Sequence, residues 1–222
     1  MFRKYIEQWS DENWPREDEE EKPMPPKQMM RLNDWLLVPE VRYLIEHRHD
    51  TEQLTDGHII YTLKPQLVTL VHRWYRERQD ELLVILGREL DTTPGEGLLQ
   101  LAKHAFDCTV CDERFMPFPD VLLHRCSTRH RRVSLDYKDI ASQYWYALPW
   151  DPKMVCVNPR VFPDKARDLI LKMGHNPDSV THEAMGKSKT RLTCADCKPR
   201  LDGSYEVFDW KRAVRLSLQI TI

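Results

Sequence analysis

Residues 108–130 read Cys108-Thr-Val-Cys111-Asp-Glu-Arg-Phe115-Met-Pro-Phe-Pro119-Asp120-Val121-Leu-Leu-His124-Arg125-Cys126-Ser-Thr-Arg129-His130. Two thiols two residues apart can both point at one ion from a tight turn. Two imidazoles on a following helix can close the tetrahedron. This is the Cys-x₂-Cys-x₁₂-His-x₅-His spacing of a Cys₂His₂ zinc site. The residues between the pairs agree. Phe115 and Val121 stand where a small ββα finger needs its two apolar core residues. Pro119-Asp120 before Val-Leu-Leu reads as a helix start. The expected ligands of a Zn²⁺ ion are Cys108, Cys111, His124 and His130, with Cys126 the alternative fourth ligand. His130 is preferred because residues i and i+2 do not face one another on a regular helix. Four protein ligands make a closed, structural site; a catalytic one would leave a position open to water.

The 222 residues allow one or two domains with a sizeable core. Hydrophobic residues make up 41% and charged residues 31%. No apolar run is long enough to cross a bilayer; the longest is Leu82-Leu83-Val84-Ile85-Leu86. Residues 1–14 carry no apolar stretch of a secretory leader, so an intracellular location, nucleus or cytoplasm, is expected. Six cysteines in such a compartment favour thiols or metal over disulfides. A net charge of −2 exerts no general pull on nucleic acid or anionic membrane.

Working outward from the knuckle gives four regions. Residues 1–28 hold a short N-terminal segment and an acidic, proline-rich linker: Glu17-Asp18-Glu19-Glu20-Glu21 repel one another, and Pro23, Pro25 and Pro26 follow. Residues 29–104 read as a helical region. Trp35-Leu36-Leu37-Val38 and Val41 to Ile45 form a helix pair broken before Pro39, residues 58–63 suggest a short strand, and Gln66 to Leu90 has the strongest helical period. A further short helix is expected over 97–105. Residues 105–132 are the finger-like module. Residues 133–222 form a C-terminal region. There Pro163-Asp164 opens a helix that Gly174 stops, Val207 to Leu218 looks helical, and Cys194-Ala-Asp-Cys197 makes a second, incomplete knuckle and possible second metal site. The fold class expected is mainly α with short β elements, an irregular α+β arrangement around one Cys₂His₂-like finger.

Several segments together resemble a group of uncharacterised zinc-finger-like proteins of mushroom-forming fungi, some with an F-box-like N-terminal segment. The matching pieces are Phe106-Asp107-Cys108-Thr-Val-Cys111, Phe-Pro-Asp-Val-Leu-Leu-His-Arg-Cys at 118–126, Gly-His-Asn-Pro-Asp-Ser-Val-Thr at 174–181, Arg-Leu-Thr-Cys-Ala-Asp-Cys at 191–197 and Trp-Lys-Arg-Ala-Val at 210–214. The resemblance covers roughly residues 80–215 and implies a zinc-finger-like module without an assigned activity. In that group a histidine usually follows the last segment, where this chain has Arg215 and Leu216.

With His124 as helix position 7, the base-reading positions of a DNA-binding finger fall on Pro117, Asp120 and Leu123. None can make a bidentate contact to guanine or adenine. Arg125, Arg129, Arg131 and Arg132 form a basic cluster suited to phosphate or to an acidic protein partner. Phosphate-cradling, nucleophile-elbow and metalloprotease motifs are absent from the sequence. The expected function is a structural zinc module serving as a protein-interaction or adaptor domain, without catalysis. The alternative is a nucleic-acid-associated finger that binds weakly through the 125–132 cluster.

Overall fold

The computed structural model describes residues 30, 32–47, 61–91, 95–128, 149–156, 162–190, 192–193 and 206–219. The chain divides into two compact units, Met1–Arg78 with Ser127–Asp151 and Gln79–Cys126 with Pro152–Ile222. Among the described residues the fold is mostly helical with short antiparallel strands. None of their helices is long and apolar enough to cross a membrane.

The first unit begins with α1 (Leu32–Leu37) and α2 (Pro39–Glu46). Pro39 separates them. It disfavours helical geometry in the residue before it, and Val38 is extended at φ −61°, ψ 126°. The same proline then starts α2, where its missing N–H costs nothing. Helix α3 (Leu67–Leu90) follows a 3₁₀ turn at Lys64–Gln66. Leu67, Leu70 and Val71 lie on one face at helical spacing and pack with Trp35, Val38, Val41 and Leu63. Arg73 makes two hydrogen bonds to Glu40, at 2.8 and 2.6 Å, tying α3 to α2. The Arg73 guanidinium holds the Glu40 carboxyl below its usual range. The buried Asp34 accepts the backbone N–H of Trp150 at 2.9 Å.

The boundary between the units falls within α3. The second unit continues through a 3₁₀ turn at Glu96–Gln100 and strand β1 (Asp107–Cys108). It then has β2 (Val155–Cys156), α4 (Phe162–Lys172), α5 (His182–Lys187), β3 (Leu192–Thr193), β4 (Val207–Phe208) and α6 (Trp210–Gln219). β1 pairs antiparallel with β2, Asp107 opposite Cys156; β3 pairs antiparallel with β4, Leu192 opposite Phe208. The core rests on matched stripes four residues apart. Ala166 and Ile170 come from α4, Trp210 and Val214 from α6, and all four join Ala102, Ala105, Phe115 and Met185. Thr181 caps α5: its hydroxyl accepts the Ala184 N–H at 3.1 Å.

Three sequence expectations change. Residues 61–63, read as the end of a strand, are helical and lead into α3; 58–60 lie outside the described residues. The helix expected over 97–105 is only the 3₁₀ turn, after which Leu101 is extended and bridges Thr181. Val207 and Phe208 form β4, so the last helix starts at Trp210. The helix opened near Pro163 and stopped at Gly174 is α4, and Gly174 adopts φ +81°, which glycine takes without a side-chain clash. The expected 1–28 linker lies outside the described residues.

Candidate metal centre

The knuckle is built on a short hairpin arm. Phe106 and Met116 exchange backbone hydrogen bonds at 2.9 and 2.8 Å, and the Cys108 N–H donates to the Glu113 carbonyl at 3.0 Å. Within this arm the buried Asp107 carboxylate accepts the Phe115 N–H at 3.1 Å. Phe115 sits at φ +55°, a region costly for a bulky residue, and its ring is wholly buried. Burial pushes the Asp107 carboxyl upward, partly offset by that same amide bond.

The turn between the cysteines points backbone amides at sulfur. Val110 N–H and Cys111 N–H lie 3.3 and 3.4 Å from Cys108 Sγ. Burial alone would raise the Cys108 thiol, but the amides of Cys111 and Val110 and the Cys111 and Cys126 side chains together outweigh it and favour thiolate. Thiolate is the form that binds metal.

The second pair of ligands arrives without an α-helix. Asp120–Leu123 and Arg125–Thr128 are two 3₁₀ segments, and between them His124 is extended at φ −64°, ψ 133°. This break corrects the ββα expectation. The rule against i and i+2 facing one another holds only on a continuous helix. With His124 extended, both His124 and Cys126 turn toward Cys108 and Cys111. Cys108, Cys111, His124 and Cys126 present ligand atoms all within 4.8 Å of one another. Cys111 Sγ lies 3.4 Å from His124 Nε2. A tetrahedral ion with sulfur bonds of roughly 2.3 Å needs sulfurs about 3.7 Å apart, so small side-chain adjustments suffice. Cys108 and Cys126 are buried, His124 is half-buried and Cys111 is exposed. Burial, followed by the neighbouring thiols, pushes Cys126 up to about 11. A bound cation would reverse that bias.

This Cys₃His group can hold a metal ion. Among the described residues no other group of three or more Cys, His, Asp or Glu side chains converges in this way. His130 lies outside the described residues, as do Arg129, Arg131, Arg132, Cys194 and Cys197. Arg125 is described and exposed. His182 is taken up in the core. It is hydrogen-bonded to the His104 carbonyl at 2.7 Å and stacked on Trp210, with ring centres 5.5 Å apart.

Sequence reading missed the residues that support the loop. Asp107 holds its turn. Lys211 reaches Asp120 at 2.9 Å and Arg215 reaches Glu113 at 3.0 Å, both from α6. Spacing signals ligands, but nothing in it marks a carboxylate that bonds eight residues away or a cation 91 residues distant.

No protein-family model, curated protein or solved structure matches this chain. The site therefore stands on its own geometry.

Proposed function

We propose that Cys108, Cys111, His124 and Cys126 hold one structural zinc ion, and that the unit built around it serves as a protein-interaction or adaptor module without catalytic activity. The observation that carries this reading is the convergence of three thiols and one imidazole within 4.8 Å. Soft thiolate-rich donors in a tetrahedral set suit zinc. The four side chains fill the coordination sphere, so no position is kept for substrate or for an activated water.

The alternative, weak nucleic-acid contact through the 125–132 cluster, falls mostly outside the described residues; base reading by a finger helix is what the geometry disfavours. A finger reads bases from an α-helix. Here that segment is two 3₁₀ turns, Pro117 is buried, and Asp120 is paired with Lys211.

The test is thermal melting of the purified chain with and without a strong chelator, beside metal analysis. Metal binding is coupled to folding because an unfolded chain has no preformed site. One zinc per chain and a clear fall in melting temperature on chelation are expected, with Cys108→Ser behaving like the chelated protein. Unchanged melting after complete metal removal, or zinc-dependent hydrolytic turnover, would contradict the reading. Protein capture by the zinc-loaded wild type but not by Cys108→Ser would support the adaptor role. Equal capture by both would count against placing that role in this unit.

A further inference from the structure

We propose that helix α6 is a metal-dependent latch: filling the Cys₃His centre tightens its hold on the ligand loop, and emptying the centre loosens it. The proposal rests on the structural-zinc reading.

The ligand loop meets α6 at three points. Lys211 and Arg215 lie four residues apart and so share one helix face. Lys211 pairs with Asp120, four residues before His124; Arg215 pairs with Glu113, two residues after Cys111. One helix thus holds both arms of the loop, one arm for each pair of ligands. Between them Phe115 meets Trp210 edge to face, ring centres 5.6 Å apart at 88°. Phe115 is the residue that Asp107 holds in a left-handed conformation inside the loop.

The loop has little regular structure to keep this surface in place. Its repeating elements are a two-residue strand and two 3₁₀ segments. The four ligand bonds would supply the missing rigidity. Without them Glu113 and Asp120 lose their fixed positions, and Phe115 keeps only its Asp107 bond and its core packing. The ion pairs are solvent-exposed and weak singly, and Trp210 and Val214 also pack in the core with Ala166, Ile170 and Met185, so the loop sets how tightly α6 is held and the core keeps it in place. Linkage makes the coupling reciprocal: whatever loosens α6 must weaken metal binding.

Hydrogen exchange on the full chain, zinc-loaded and chelated, tests this. Chelation is expected to raise exchange across 108–126 and across 210–219 by about tenfold or more, while α3 stays protected. Lys211→Ala/Arg215→Ala, which leaves every ligand in place, is expected to weaken zinc affinity by roughly three- to tenfold in competition with a chromophoric chelator. Loosening of 108–126 with α6 unchanged would overturn the latch and leave the structural-zinc reading standing. So would a double variant with undiminished zinc affinity. A chain that binds no zinc, or whose 108–126 exchange ignores chelation, would overturn both.

Discussion

The Asp107 carboxylate accepts the backbone N–H of Phe115 at 3.1 Å across the turn that carries Cys108 and Cys111. This bond fixes the left-handed Phe115 and closes the arm from which two ligands project. Support of this kind, one shell out from the ligands, often decides how well a metal site is preorganised. Asp107→Ala leaves a buried N–H unpaired and is expected to cost about 1–3 kcal/mol. Asp107→Asn keeps an acceptor and should cost less. Urea unfolding and zinc affinity of both variants check this; equal behaviour of the two would count against the hydrogen bond as the cause.

Ile170 lies on α4 against the Trp210–Val214 stripe and is wholly buried. Ile170→Ala should destabilise the second unit by about 2–5 kcal/mol. Chemical denaturation followed by a probe in that unit measures it. A cost below about 1 kcal/mol would show that the site is poorly packed or collapses freely.

His104 and His182 should make stability fall with acid. Both are more than nine-tenths buried. Burial first, then the Lys103 charge, lowers His104 to about 4; burial first lowers His182 to about 4, with Lys211 adding to it. Their folded values lie below the unfolded value, so between these the unfolded chain binds more protons. Stability is fully present above about pH 6.5 and is lost as pH falls toward about 4. Imidazole titration by NMR checks this residue by residue. Either ring titrating near 6.5 in the folded protein would contradict it.

Much of the helical framework was legible because helical period and proline are local signals. The Leu67–Val71 face and the break at Pro39 needed no distant partner to be read. Residues 61–63 misled because Ile59-Ile60-Tyr61-Thr62 is a β-branched and aromatic run, and the described part of it is helical. Val207-Phe208 misled in the opposite sense: its pairing partner, Leu192-Thr193, lies well upstream. At the candidate site the spacing marks Cys108, Cys111 and His124. A continuous helix through 124–130 would put His130 ahead of Cys126 as fourth ligand. The extended His124 removes that objection to Cys126.

The central claim is that three thiolates and His124 share one ion. Cobalt substitution tests it most directly, because the sulfur-to-metal charge-transfer intensity follows the number of thiolate ligands. The account predicts one metal per chain, a tetrahedral spectrum with three-thiolate intensity, and a drop to two-thiolate intensity in Cys126→Ser while His130→Ala leaves the spectrum unchanged. A two-thiolate spectrum in the wild type that is lost in His130→Ala and kept in Cys126→Ser would contradict it.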